Sequence, residues 1–234
     1  MRAILPLLLP ALLAACSTAP PPRPAGPAPT AAAAPSRAPS DGGFGDIVRR
    51  VEPVAEEICR GSTRNVDCDF RIFLDTRPGV PANAFQTVDQ RGRPILVVTE
   101  PLLDEMLNAD EIAFVLGHEA AHHIRGHIPQ NQQNAVTGAV LAGVLAAAAG
   151  GNQATVREAQ ELGAFVGQRR YSKEFELEAD ALGTVIASAA GYDPVRGAQY
   201  FTRSADPGDR FLGSHPPNAD RIKIVRQTAA GLGR

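Results

Sequence analysis

The sequence predicts an α+β fold that is mostly helical, in one domain that follows a non-globular N-terminal segment. Ten of the 20 prolines in the 234-residue chain lie in residues 1–40, which contain three arginines and no acidic residue. Residues 41–234 have the length of a typical domain, with several apolar stretches of helical period and only three stretches of strand-like composition. Their 20 basic against 25 acidic residues give a formal charge of −5, which argues against a nucleic-acid-binding surface.

The first 15 residues have the features of a secretory signal peptide. Arg2 follows the initiating methionine, and residues 4–13 are apolar but contain two prolines and are too short to cross about 30 Å of hydrocarbon as a helix. The stretch ends in Leu-Ala-Ala-Cys, which resembles the lipobox of bacterial lipoproteins and implies cleavage before Cys16 and acylation of that cysteine. Ser17, in place of an aspartate, implies an outer membrane lipoprotein that faces the periplasm. A soluble exported protein with an incidental cysteine is the alternative.

Residues 16–40 are predicted to be a disordered tether, because residues 17–40 contain eight prolines and eight alanines and cannot form a core. The other two cysteines, Cys59 and Cys68, are nine positions apart. In an oxidising compartment this pair predicts a disulfide, with two free thiols as the alternative. A zinc site at these cysteines is less favoured, since no nearby histidine or second cysteine pair completes four ligands.

The first part of the domain is predicted to contain one helix and three strands. The helix, residues 45–60, has apolar residues at helical spacing despite Pro53, and residues 70–74 alternate as a strand does. Residues 80–88 and 95–99 flank a Gln-Arg-Gly-Arg turn and therefore predict a hairpin.

The rest of the domain is predicted to be helical. Residues 100–107 and 111–125 form two helices, with Asp110 as the N-cap of the second. Residues 135–149 are Ala, Val, Leu, Gly and one Thr, and as a helix they extend about 22 Å, too short to cross a bilayer. We therefore expect that helix to be buried or to lie on a membrane surface. Further helices are predicted at residues 156–168, 172–189, 193–204 and 216–230.

Four of the five histidines lie between His118 and His127, and two of them form a His-Glu-x-x-His motif in an apolar helix. Residues i and i+4 share a helix face, so His118 and His122 can direct two imidazole nitrogens at one metal ion. Glu119 is rotated by about 100° from His118, which suits a general base beside a zinc-activated water better than a ligand. The motif predicts a zinc site with one ion per chain.

The other two histidines of this cluster, His123 and His127, are expected to be surface side chains without a role at the metal. A third ligand from the same helix, as in metzincins, would require glycine at position 125 and histidine at position 128. The chain has Arg125 and Ile128 there, so the third ligand must come from another segment.

An acidic segment that begins 50 residues after His122 contains three candidates for this third ligand, Glu174, Glu176 and Glu178. Glu176 forms an i, i+4 pair with Asp180, and Glu174 forms one with Glu178, so spacing alone leaves the choice open. The alternative is a solvated acidic face near the start of a helix.

The two motifs together resemble a known family. His-Glu-Ala-Ala-His-His followed by Glu-Phe-Glu-Leu-Glu-Ala-Asp is similar to the HtpX and CAAX prenyl protease family of zinc metallopeptidases (metallopeptidase family forty-eight), in which His-Glu-x-x-His precedes a Glu-x-x-Ala-Asp. The Asn-Ala-Phe segment at residues 83–85 and the His-Pro element at 215–216 match as well, and the match extends from about residue 47 to 226. The chain looks like the periplasmic, Oma-one-like lipoprotein branch. The resemblance implies a gluzincin-type metallopeptidase domain with a small β-sheet beside the HExxH helix.

The resemblance also implies roles for residues outside the first motif. Glu176 becomes the third zinc ligand and Asp180 a residue that supports the ligands, while water occupies the fourth zinc position. His215 is expected to stabilise the oxyanion or to occupy that open position, with Arg221 supporting it; a surface histidine is the alternative. Residues 84–88 or 95–99 are expected to present the sheet edge to which an extended substrate adds.

The implied function is that of a zinc metalloendopeptidase, attached to the membrane by its lipid, that hydrolyses periplasmic or outer-membrane proteins in envelope quality control. The alternative is a non-catalytic, zinc-stabilised chaperone or assembly lipoprotein. The sequence contains no signal for the oligomeric state.

Overall fold

The computed structural model describes residues 43–170, 172–206, 208 and 215–233. The predicted signal peptide, the acylated Cys16 and the tether lie outside these residues. The described part confirms a mostly helical α+β fold with a small sheet. In chain order its elements are α1 (Phe44–Ser62), β1 (Arg71–Asp75), β2 (Ala84–Val88), β3 (Pro94–Thr99), α2 (Glu100–Glu105), α3 (Ala109–Arg125), α4 (His127–Ala148), α5 (Gln153–Arg170), α6 (Ser172–Ala189), α7 (Pro194–Gly197), a 3-10 helix (Ala198–Thr202) and α8 (Asn218–Gly231).

Within the described residues the strands form one sheet in the order β1-β3-β2, so that β3 is central. β1 is parallel to β3, whereas β2 pairs with β3 in antiparallel register. The predicted hairpin is therefore confirmed. Its turn is closed by Asp89, whose carboxylate accepts hydrogen bonds from the backbone N–H groups of Arg91 and Arg93.

The start of α3 differs from the prediction. The N-cap is Asn108, whose side-chain oxygen accepts a hydrogen bond from the backbone N–H of Glu111, and the predicted cap at Asp110 is wrong. Asp110 instead lies inside the first turn, where its carboxylate accepts a hydrogen bond from the Asp193 backbone and pairs with Arg196. Both residue types suit a cap, and the tertiary contact to the α6–α7 connection selects between them.

Helices α3 and α6 pack closely because glycines meet at their crossing. A Cβ added to Gly183 of α6 would lie 2.8 Å from the backbone nitrogen of His118, and one added to Gly117 would lie 2.8 Å from the Gly183 carbonyl oxygen. At these distances neither Gly117 nor Gly183 could carry a side chain without a clash with the opposite backbone. The crossing therefore places the acidic segment of α6 directly beside the histidine motif of α3.

Helices α4 and α5 form an antiparallel hairpin joined by residues 149–152. The two backbones meet at Gly138, Gly163 and Gly167, where any added Cβ would collide with the opposite helix. Small residues on the contact side thus allow close packing, as they do between helices in general.

The outer side of the hairpin includes segment 135–149, which the sequence predicts to be buried or to lie on a membrane surface. The large aliphatic residues of segment 135–149 are not buried, because the contact with α5 uses its small residues. Val136, Val144 and Leu145 are between 61% and 69% exposed. Across the described helices, none is long and apolar enough to span a membrane.

The C-terminal elements begin close to their predicted positions. The helix expected at residues 193–204 is one α-helical turn, α7, followed by the 3-10 helix, and Asp193 caps it with bonds to the backbone N–H groups of Val195 and Arg196. The last helix, α8, begins at Asn218, just after the two prolines. It packs on α6 and carries Arg221 toward α3.

Candidate metal centre

Three side chains from α3 and α6 converge on one point. His118 and His122 lie one turn apart on α3, and their Nε2 atoms are 3.0 Å from each other. Glu176 of α6 has Oε2 3.6 Å from His118 Nε2 and Oε1 3.4 Å from His122 Nε2. Ligand atoms around a tetrahedral zinc ion are about 3.3–3.6 Å apart, given zinc–ligand distances of about 2.0–2.2 Å. Both the donor set and its spacing therefore fit a zinc ion.

The geometry distinguishes among the three glutamates that spacing left open. Glu176 is the one that meets the histidines, since Glu174 is exposed and Glu178 contacts His127. Burial alone would raise the pKa of the Glu176 carboxyl, but hydrogen bonds from the neighbouring histidines hold it well below its ordinary value. Glu176 is thus an ionised carboxylate that can serve as a metal ligand.

The ring of His118 is held by a carboxylate behind it. Its Nδ1 is 2.9 Å from Oδ1 of Asp180, which leaves the Nε2 lone pair directed at the other two ligand candidates. Asp180 is fully buried and accepts two hydrogen bonds of 2.7 Å from the Arg221 guanidinium. Burial alone would raise the pKa of Asp180, but the Arg221 charge lowers it below its ordinary value. Burial also disfavours the charged imidazole, yet Asp180 and Glu176 raise the pKa of His118 to about 10, so Nε2 would release a proton to offer its lone pair to a metal ion.

Arg221 connects this pair to the aromatic wall of the site. Its guanidinium carbon lies 4.0 Å from the ring centroid of Phe201, and its Nη2 is 3.7 Å from Oε2 of Glu176. The buried cation stacks on the ring face and forms a fork with the Asp180 carboxylate. The structure thus brings the predicted Arg221 to the candidate ligands, although 45 residues separate it from Glu176 in sequence.

A cavity of about 380 Å³ opens over the three candidate ligands. Glu119 lines this cavity, as do both histidines and Glu176. His215 also lines it, with Nδ1 3.1 Å from Oε2 of Glu176, and its side chain is half exposed. The structure therefore brings Glu119 and His215 to the same site as the two histidines of α3.

The cavity also borders the sheet. Ala84 and Gln86 of β2 line it, whereas β3 is separated from its mouth because β2 and β1 cover its two edges. Of the two strands predicted to present the substrate-binding edge, β2 is the one with a free edge among the described residues.

His127 is a site residue that the sequence prediction missed. It is fully buried rather than at the surface, and its Nδ1 lies 2.9 Å from Nδ1 of His122. Its ring stacks on Phe175 at 4.5 Å, and Nε2 is 3.4 Å from a carboxylate oxygen of Glu178. Burial and the neighbouring His122 lower the pKa of His127 to about 4, so this ring is neutral. The signal in the sequence is Gly126, whose left-handed conformation ends α3 and lets α4 fold back.

His123 is only partly exposed and contacts the disulfide region. Its Nε2 is 2.7 Å from the carbonyl oxygen of Asp67, and its ring meets Phe70 edge-on. Cys59 and Cys68, on either side of this loop, are joined by a disulfide in the structure. The loop that the disulfide closes therefore rests against the motif helix.

Comparison with known proteins gives three similar curated sequences. The beta-barrel assembly-enhancing protease of Vibrio cholerae is 34% identical over 133 residues, which cover 51% of this chain and 27% of that protein. The mitochondrial metalloendopeptidase OMA1 of Arabidopsis thaliana is 27% identical over 137 residues, 56% of this chain and 27% of that protein. The metalloprotease LoiP of Escherichia coli is 30% identical over 138 residues, 56% of this chain and 54% of that protein.

These alignments span from about a quarter to about half of the relatives' own lengths. The match to a family model is more extensive, since the model of peptidase family M48 matches residues 44–229, from the start of α1 to the last turns of α8. That range includes both motifs and every residue at the candidate metal centre. The chain therefore belongs to peptidase family M48, a family of metallopeptidases.

Proposed function

We propose that the chain is a zinc-dependent metalloendopeptidase whose ion is held by His118, His122 and Glu176. The observation that carries the proposal is the convergence of these three ligand atoms, at separations of 3.0–3.6 Å, on the floor of a cavity that Glu119 also lines. Two histidines and a glutamate form a donor set that leaves a fourth position open for water or substrate.

A zinc ion held by His118, His122 and Glu176 would supply Lewis acidity, which would lower the pKa of an attacking water to about 7 and polarise the carbonyl of the scissile bond. Glu119 accepts the proton as water attacks that carbonyl, and then donates it to the leaving amine nitrogen. His215 hydrogen-bonds the developing oxyanion, which its half-exposed position at the cavity mouth supports. Asp180 fixes the His118 ring, and Arg221 neutralises the buried charge of Asp180.

The substrates are extended segments of other proteins. β2 has one neighbouring strand among the described residues, and its residues Ala84 and Gln86 border the cavity, so a peptide can add to this edge as a further strand. Such backbone pairing fits a peptidase that selects unfolded or misassembled clients by their extended conformation.

The proposed location is the outer membrane, with the chain anchored by acylated Cys16 and facing the periplasm. The lipobox-like segment and the alanine- and proline-rich stretch after it support this location. The Cys59–Cys68 disulfide fits an oxidising compartment. The name of the Vibrio cholerae relative, which refers to beta-barrel assembly, supports a role in envelope protein quality control.

Glu119→Gln tests the catalytic mechanism against a zinc-stabilised chaperone. We expect the variant to retain one zinc per chain and to lose cleavage of unfolded casein by at least about 10²-fold, because a general base contributes on that order. Glu174→Gln, an exposed change on α6, is the control and retains full activity. Casein cleavage by Glu119→Gln at the wild-type rate would contradict the mechanism.

A further inference from the structure

A broad apolar face covers one side of the α4–α5 hairpin. Eight large apolar residues of the two helices are between 38% and 69% exposed, namely Val136, Val140, Leu141, Val144, Leu145, Leu162, Phe165 and Val166. The chain has no Asp, Glu, Lys or Arg between Arg125 and Arg157, and the buried ring of His127 is neutral, so α4 carries no charged side chain. An exposed apolar surface of this extent marks an interaction site.

The two helices contribute to the same side of the hairpin. Around the axis of α4, the mean direction of the exposed apolar side chains is rotated by roughly 100° from that of Gly138, in the sense that leads back toward the N-terminus. In α5 the mean direction is rotated by roughly 100° from that of Gly163, in the same sense. The two helices are antiparallel, so the same rotation away from the contact glycines turns toward the same side in each. The eight residues therefore form one face rather than two separate stripes.

We propose that this face docks on the lipid surface to which acylated Cys16 attaches the chain, an inference that rests on the lipid anchor of the proposed function. The 26 residues between Cys16 and Gly43 can span at most about 90 Å when fully extended. If the segment is disordered, as its composition predicts, it would keep the domain at an effective concentration on the order of millimolar near the membrane. A modest apolar contact is then sufficient for docking.

The chemistry of the face fits lipid better than a peptide or a second copy. Its backbone hydrogen bonds are satisfied within the helices, so an extended client finds no strand edge there. Its side chains are aliphatic with one phenylalanine, and α4 lacks the charged rim of a protein interface. Neither helix can cross a bilayer, so the hairpin lies in the interfacial plane. The Arg169 guanidinium carbon lies 5.4 Å from the centroid of the Phe165 ring, so a positive charge at the face fits a position at the headgroup boundary.

The absence of tryptophan from the chain allows a direct test. The full lipidated protein with Leu141→Trp is bound to vesicles of phosphatidylethanolamine and phosphatidylglycerol whose acyl chains are brominated. We expect the fluorescence of this single tryptophan to shift to shorter wavelength and to be quenched by the bromines. Leu232→Trp, at an exposed position near the end of α8, is the matched probe and remains unquenched.

Separate measurements distinguish the possible failures. Loss of vesicle co-sedimentation in Cys16→Ser tests the anchor, and casein cleavage by the same preparations tests the peptidase. If the lipidated protein co-sediments but Leu141→Trp stays unquenched, the docking proposal is wrong while the anchor stands. A wild-type chain that remains in the supernatant overturns both. Equal quenching of the two probes also contradicts docking through the hairpin.

A second, independent inference concerns His127. We infer that His127 is a positioning residue that orients the ligand His122, an inference that rests on the proposed metal site. The Nε2 of His122 faces the other ligand candidates, so its Nδ1–H is free to donate to Nδ1 of His127 at 2.9 Å. His127 then presents Nε2–H to Glu178. The chain Glu178–His127–His122 parallels the chain Arg221–Asp180–His118 on the other ligand.

His127→Phe tests this role, because phenylalanine retains the ring stacked on Phe175 but removes the hydrogen-bond acceptor. The zinc dissociation constant, measured by competition with a chelator, is expected to rise about 10–100-fold. The visible spectrum of the cobalt-substituted protein is expected to change as well. His127→Gln restores an acceptor and recovers most of the affinity. His123→Phe, the neighbouring control, binds zinc as wild type does.

Glu178→Ala extends the test without a change in the core, since this side chain is 56% exposed. It is expected to weaken zinc binding by less than His127→Phe does. Wild-type zinc affinity in both Glu178→Ala and His127→Phe would overturn the positioning role. If His127→Phe does not fold, wild-type affinity in Glu178→Ala alone would overturn it.

Discussion

Replacement of Arg221 by methionine separates the support of the metal site from general stability. Arg221 donates two hydrogen bonds of 2.7 Å to Asp180, whose carboxylate is fully buried. Methionine retains much of the side-chain volume beside Phe201 but leaves the Asp180 charge without a partner. Removal of one member of a buried ion pair costs about 3–5 kcal/mol, because the remaining charge stays desolvated. We expect the free energy of unfolding to fall by an amount in that range.

Arg203 provides a matched control near the start of α3, about two turns before His118. Its guanidinium forms the same two-bond fork with the buried carboxylate of Glu111, at 2.9 Å and 2.8 Å, but Glu111 contacts neither histidine of the motif. Arg203→Met is expected to cost less, about 1–3 kcal/mol, because Arg203 is partly exposed.

The zinc dissociation constant distinguishes the two variants. Urea unfolding gives the stability, and chelator competition gives the affinity on the folded protein. Arg221→Met is expected to weaken zinc binding about 10–100-fold, since the orientation of the His118 ring depends on Asp180. Arg203→Met should leave the affinity unchanged. Equal zinc affinity in Arg221→Met and wild type would refute a role of the Arg221–Asp180 pair at the metal.

Three further changes have defined outcomes. Gly183→Ala places a Cβ 2.8 Å from the backbone nitrogen of His118, so the free energy of unfolding in urea should fall by about 1–3 kcal/mol. An unchanged free energy of unfolding would contradict the close helix crossing. Burial and a hydrogen bond to Glu105 raise the pKa of Tyr200 to about 12, compared with about 10 in the unfolded chain. Tyr200 therefore stabilises the fold below about pH 10, and this contribution disappears as the pH rises to about 12. Tyr200→Phe should flatten that part of the stability–pH curve, and an unchanged slope would count against it. Serine at both Cys59 and Cys68 should lower the unfolding free energy by about 2–3 kcal/mol relative to the oxidised wild type, and the reduced wild type, as the control, should lose a similar amount.

The sequence was sufficient for features that depend on local spacing. His118 and His122 share a helix face because they are four residues apart, and the hairpin of β2 and β3 follows from two strand-like stretches around a short turn. The choice of Glu176 among three glutamates was different. Both i, i+4 pairs are equivalent along α6, and only the crossing at Gly117 and Gly183 determines which carboxylate meets the histidines.

Features that depend on packing could not be derived in this way. His127 is buried because Gly126 lets the chain turn between α3 and α4, whereas its position in the cluster alone suggested a surface residue. The apolar composition of segment 135–149 fitted burial as well as a position on a membrane surface. In the structure α5 covers only the small residues of this segment. Hydrophobicity predicts that a helix face will be covered, and it does not specify by what.

The most direct test of the metal centre is the zinc content of purified protein, measured together with casein cleavage on the same preparation. Wild type and Glu174→Ala are expected to contain one zinc per chain and to cleave casein. Glu176→Ala is expected to lose the metal on dialysis and the activity with it, because two histidines alone hold zinc weakly. Full zinc occupancy in Glu176→Ala would contradict the ligand set of His118, His122 and Glu176.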